Sequence, residues 1–199
     1  MINKNNKNIK IKSISQSGFT LIELIIVIGI IGLISAITLF DSRRLNSNIL
    51  LSNTAYEIGL IIRDAQVSGL GSKLLENATT SNQGVFFDTS IPEQVVLFSD
   101  IVNNNKFDEL SDKSQIYNIE NKRAGKILSI CTINNDICTN VVDLNVIFKR
   151  PNPEAYFYTY PGGEFNGNVA VNIGFEDGEC KSIIIYKTGA VQIDKSYCN

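Results

Sequence analysis

Glu23 is the one charged residue in the apolar stretch from Phe19 to Phe40, FTLIELIIVIGIIGLISAITLF. A helix of that length spans about 33 Å, enough for a bilayer core. A lone carboxylate there costs about 2.5–3.5 kcal/mol at the membrane centre, so it needs a partner. A cut in the chain would supply one. Residues 1–17 are polar and basic, with Lys4, Lys7, Lys10 and Lys12 and no acid. Gly18, a small residue, stands before the apolar run, whereas a secretory signal carries its cleavage site behind the run and loses it. A cut after Gly18 leaves the run on the mature chain and creates an amine at Phe19, four residues from Glu23. Amine and carboxylate can then neutralise each other, most simply between neighbouring copies, which offsets the burial of the acid. A plain signal anchor is the alternative, but it calls neither for Gly-Phe-Thr before the run nor for an acid just inside it.

Little else in the chain points to chemistry. There is no histidine, which excludes serine–histidine and cysteine–histidine nucleophiles and removes the commonest metal ligand. The four cysteines all lie beyond residue 130 and fit an exported domain with two disulfides. A hairpin turning at Thr188-Gly189 brings Cys180 and Cys198 to its open end. Cys131 and Cys138 flank Thr132–Ile137, which suits a hairpin loop. Of the three connectivities, Cys131–Cys138 with Cys180–Cys198 is therefore favoured. A four-cysteine metal site lacks any C-x-x-C knuckle, so neither a metal nor another cofactor is implied. In DIVNNNKFDE, Asp100–Glu109, the residues Asp100, Asn104 and Asp108 could offer oxygens to calcium. The EF-hand spacing fails, however, and a solvated hairpin loop is the plainer reading. Lys122-Arg123 with Lys126, and Lys149-Arg150, are small basic spots. Four of the 18 basic residues lie before Gly18, so the chain after it is six charges negative, and DNA is a disfavoured partner. Tyr156, Phe157, Tyr158 and Tyr160 form an aromatic strand, suited to core packing or to an exposed face for a partner.

The elements that must carry these residues follow from periodicity. Beyond Phe40, apolar residues recur at Leu45, Ile49, Tyr56, Leu60, Val67 and Leu70, and again at Ala55, Ile58, Ile62 and Ala65. Steps of three, four or seven predict one amphipathic continuation, hence a single helix from about Phe19 to about Gly69 whose second half packs on the domain. No proline precedes Pro92, and Gly69 and Gly71 supply the stop. Short β-type runs then follow, at 85–88, 95–99, 115–119, 126–131, 141–149, 155–160, 168–175, 181–187 and 190–193. In 142–148, Val142, Leu144, Val146 and Phe148 share one face, while Asp143 and Asn145 point away. Asp177-Gly178 and Thr188-Gly189 predict two-residue turns, making the C-terminal third a three-stranded antiparallel meander. The fold class is α+β: a long N-terminal helix packed on one antiparallel sheet or two.

The stretch GFTLIEL, Gly18–Leu24, with its basic leader and the apolar run behind it, resembles the cleavage and methylation motif of type IV prepilins and type II secretion pseudopilins. The resemblance implies a membrane prepilin peptidase that cuts between Gly18 and Phe19 and methylates Phe19, and an assembly role for Glu23. AYEIGLIIRDAQVSG, Ala55–Gly69, more distantly resembles the helix of H-type minor pseudopilins of the GspH/FimT kind. Many pilins carry a proline where this chain has Phe40, so no proline kink is expected. The Cys180–Cys198 pairing resembles the C-terminal disulfide of many pilins, which minor pseudopilins often lack.

The organisation expected is a leader at 1–18, a transmembrane or filament-core helix at 19–40, its amphipathic continuation at 41–71, and an antiparallel β domain at 72–199. Lysines before the run keep the leader cytoplasmic, although Arg43 and Arg44 beyond it work the other way. The resemblance implies a non-enzymatic subunit, more in keeping with a minor than a major one. It would be a single-pass protein of the cytoplasmic membrane that later enters a pilus or pseudopilus, at the cell surface or in the periplasm. Its partners would be the peptidase, other pilin or pseudopilin subunits, and the lipid bilayer before assembly. A surface-displayed tip subunit that binds DNA or another ligand through the β domain is the alternative.

Overall fold

The computed structural model describes residues 18–71, 82–119, 125–175 and 178–198, without the side chains of 38–46. The leader lysines, the side chains of Phe40, Arg43, Arg44 and Leu45, and Lys122, Arg123 and Asp177 lie outside the described residues. Helix α1 runs Leu21–Leu70. The chain divides into two units, Met1–Arg43 and Arg44–Asn199.

In the second unit the strands are β1 (Asn82–Asp88), β2 (Gln94–Asp100), β3 (Lys113–Asn118), β4 (Lys126–Asn134), β5 (Ile137–Val141), β6 (Asp143–Phe148), β7 (Ala155–Tyr160), β8 (Gly163–Phe165), β9 (Asn168–Gly174), β10 (Cys180–Ile185) and β11 (Val191–Asp194). They form two antiparallel sheets, ordered β3-β2-β1-β6-β7-β8 and β11-β10-β9-β4-β5. One face of each sheet closes on α1. Leu51, Ala55, Ile58, Ile62 and Ala65 of the helix are buried among Val85, Phe87, Leu144, Val146 and Phe148 of the first sheet and Ile130, Val171, Ile173, Ile183 and Ile185 of the second. Spacings of four and three keep those helical side chains on one stripe. The other expected series, which begins at Leu45, behaves differently. Ile49, Tyr56, Leu60 and Val67 are all more than half exposed, so the domain buries one stripe of the helix and leaves the other open.

Three polar contacts lock the helix to the sheets. Buried Gln66 donates through Nε2 to the carbonyls of Pro153, at 2.9 Å, and Gly189, at 3.3 Å. Arg150 Nε donates to the Gly69 carbonyl at 3.2 Å, covering an acceptor that the helix end leaves unpaired. A Cβ at Gly69 would meet Phe148 Cβ at 2.9 Å, so only glycine lets the last turn approach β6 so closely.

Alternation sends the other face of each sheet outward. Val96, Phe98 and Ile147 form a small second core with Phe86, Phe107, Tyr156 and Tyr158. Cys131, Ile133, Ala170 and Ile184 form a third with Cys138, Tyr186 and Tyr197. The bonded pairs are Cys131–Cys138 and Cys180–Cys198, with Cα separations of 5.4 and 5.7 Å.

Two turns and two strands differ from the expectations. Residues 132–137 are not a loop: β4 continues to Asn134, and only Asn135 (φ 49°) and Asp136 (φ 63°) turn the chain before β5. Both side chains tolerate the left-handed conformation that such a tight hairpin requires. The last hairpin pairs Ile185 with Val191, and Tyr186 N–H donates to the Ala190 carbonyl, so its loop is the three residues 187–189 rather than Thr188-Gly189 alone. Gly189, at φ 81°, takes the left-handed position of that wider loop. Strands β5 and β8 carried no apolar alternation because β5 is an exposed sheet edge and β8 has three residues.

Candidate assembly site

Gly18, Phe19 and Thr20 are exposed and non-helical, and α1 begins at Leu21. Thr20 is the reason it begins there. Its Oγ1 accepts the Glu23 N–H at 3.3 Å, and its carbonyl accepts the Leu24 N–H at 3.2 Å. This is an N-cap, and Thr-x-x-Glu is the capping-box signature. Glu23 thereby stands in the first turn, where the helix dipole favours a carboxylate. The bond between Gly18 and Phe19 lies just outside the capped helix. No contact within 4 Å would confront a Cβ at Gly18, Gly29 or Gly32.

Behind the cap the aliphatic side chains from Leu21 to Ile37 are 47 to 77 % exposed. Fully burying a side chain of this kind is worth about 1.5–3 kcal/mol. The described part of the segment therefore forgoes roughly 10–20 kcal/mol in water, as much as the net stability of a typical domain. Among the described residues no helix is long and apolar enough to cross a membrane. The described side chains of the run end at residue 37, short of the full expected span.

On the second unit, two apolar grooves flank the open stripe of α1. One, of about 530 Å³, lies between Leu50, Thr54, Glu57 and Ile61 and the β2–β3 edge, at Val95, Tyr117 and Ile119. The other, of about 510 Å³, lies between Tyr56, Leu60 and Arg63 and the β11 side, at Val191 and Ile193.

The segment expected to be a solvated hairpin loop is a mostly exposed loop joining β2 to β3, and it is anchored at several points. Phe107 packs 5.3 Å from the rings of both Phe86 and Phe98, and its N–H donates to Asn145 Oδ1 at 2.8 Å. Asp100 is buried and accepts the N–H groups of Asn104 and Asn105 at 3.1 and 2.9 Å. Asp112, which sequence reasoning missed, accepts those of Ile101 and Asp108 at 3.0 and 2.8 Å. Burial pushes the Asp112 carboxyl above the usual carboxylate range despite those donors, and the negative charges of Asp100 and Asp108 add to it. Asp108 is held below that range by the Ser111 hydroxyl and the Leu110 N–H. The oxygens considered for calcium are thus acceptors for the loop's own backbone. Among the described residues no cluster of three or more His, Cys, Asp or Glu could hold a metal ion.

The basic pair Lys149-Arg150 is also engaged. Lys149 Nζ lies 4.7 and 5.6 Å from the ring centroids of Tyr156 and Tyr158, within cation–π range, and Arg150 serves the helix end. Burial, and then Glu164, raise the Tyr158 hydroxyl above its ordinary value. Phe157 lies in the main core, Tyr156 and Tyr158 on the outer face, and Tyr160 is exposed.

A capped apolar helix with an acid in its first turn thus follows the non-helical residues Gly18–Thr20, and a disulfide-bonded β domain lies further along the chain. Residues 14–39 match the family model described as the prokaryotic N-terminal methylation motif, which supports placing the chain in the type IV prepilin and pseudopilin family. No curated protein and no solved structure matches the chain. The motif points to a structural pilin-like subunit rather than an enzyme. It implies processing by a prepilin peptidase, membrane insertion, and assembly with other pilin subunits.

Proposed function

We propose that this chain is a minor structural subunit of a type IV pilus or a type II secretion-type pseudopilus. The peptidase cuts after Gly18 and methylates Phe19. Residues 19–40 hold the protein in the cytoplasmic membrane as a single pass until assembly, and 41–71 continue the helix into the β domain at 72–199. Glu23 meets the new amine of a neighbouring copy during docking. The observation that carries this reading is the pairing of the methylation motif at 14–39 with an apolar run whose described aliphatic side chains, Leu21 to Ile37, are exposed. Apolar surface of that extent must be buried in lipid or in sister helices. N-terminal sequencing after co-expression with a prepilin peptidase should begin at Phe19. An intact Met1, or a cut beyond Phe40, defeats the proposal.

A further inference from the structure

Asn166-Gly167 is the one Asn-Gly dipeptide in the sequence. It joins β8 to β9, and Asn166 is exposed. Gly167 is fixed by packing: a Cβ there would meet the Phe165 ring at 2.7 Å and the Ile133 carbonyl oxygen at 3.0 Å. The fold therefore keeps, directly after Asn166, the residue whose main-chain nitrogen is least shielded by a side chain. The Asn166 carboxamide is also engaged. Lys187 Nζ donates to Asn166 Oδ1, and the Lys187 N–H donates to Asn168 Oδ1 at 3.2 Å. An ammonium on an amide oxygen polarises the carbonyl and steadies negative charge that gathers on it during addition.

We propose that Asn166 is a site of spontaneous self-modification, with Lys187 as the positioning residue that activates it. The Gly167 amide nitrogen gives up its proton to hydroxide and attacks Asn166 Cγ. A bond forms between them, and charge collects on Oδ1, against the Lys187 ammonium. Collapse breaks the bond from Cγ to Nδ2, and that nitrogen takes a proton from water and leaves as ammonia. Water then opens the cyclic succinimide at either carbonyl, leaving aspartate or isoaspartate at 166. Aspartate converts the contact with Lys187 into a charge pair that ties the β8–β9 connection to the last hairpin. Isoaspartate lengthens the main chain by a methylene just before β9 and loosens the Asn168 contact.

The test is peptide mapping by mass spectrometry of the full-length chain in detergent, held at mildly alkaline pH and sampled over time. The expected result is conversion at 166 that slows several-fold in Lys187→Gln, with the melting temperature of the variant unchanged. Asn166→Gln should abolish the signal at that position. Equal rates in wild type and Lys187→Gln overturn the proposal, as does conversion confined to the urea-unfolded chain. An ammonia-loss product that resists hydroxylamine also overturns it, because it would be an amide cross-link between Lys187 and Asn166 rather than a succinimide.

Discussion

The two ends of helix α1 obey opposite rules. From Leu21 to Ile37 the helix carries apolar side chains all round, with Glu23 its one charge, and every large side chain is exposed. From Leu51 to Ala65 it is amphipathic, and the stripe Leu51, Ala55, Ile58, Ile62 and Ala65 is buried to within 2 % of full cover. One element thus carries a segment whose described apolar side chains are exposed all round and a segment of which the two sheets cover a single stripe. Apolar periodicity reports how much cover a helix needs; only the rest of the fold decides whether the cover lies in the same molecule.

The largest effect expected from this contrast lies in the buried stripe. Ile62 is fully enclosed between the two sheets. Ile62→Ala removes its burial and leaves a cavity, and should cost about 2–5 kcal/mol. Urea unfolding of the full-length chain in detergent, followed by tyrosine fluorescence, measures it. A loss below about 0.5 kcal/mol, the range of ordinary surface substitutions, would mean that the sheets do not grip the helix as described.

Most of this architecture was legible in the sequence, because its signals are local. The methylation motif is contiguous, the long helix has unbroken apolar spacing, and strands such as β7 and β9 alternate or run apolar between turn residues. What escaped depends on contacts distant in sequence. Asn145 reads as a solvated outward residue of β6, yet it receives the Phe107 N–H from 38 residues away and is buried beneath that loop. The exposure of Tyr56 and Leu60 could not be read from their spacing, since a stripe that matches helical periodicity does not reveal how wide the domain's cradle is. Thr20 is a different case. Its role is written in Thr-Leu-Ile-Glu, and the capping-box signature would have found it.

A smaller effect should appear at that cap. Thr20→Ala removes the acceptor for the Glu23 N–H and should weaken the first turn by about 1 kcal/mol. Hydrogen exchange at residues 21–24 in micelles should quicken, while the melting temperature of the β domain stays fixed. A domain that melts earlier would show that the first turn and the β domain are coupled, and would break the contrast between the two helix segments.

The smallest effect is expected where apolar spacing alone would predict a large one. Leu60 lies one helical step from Gly59 and two from Ile62, yet it is 68 % exposed and sits between the two grooves. Leu60→Ser should change the unfolding free energy by less than about 0.5 kcal/mol, since little burial is lost. Run beside Ile62→Ala, it separates the covered stripe from the open one within a single turn of the same helix. If Leu60→Ser costs as much as Ile62→Ala, the open stripe is covered in the isolated chain, and the division of α1 into a satisfied and an unsatisfied face fails.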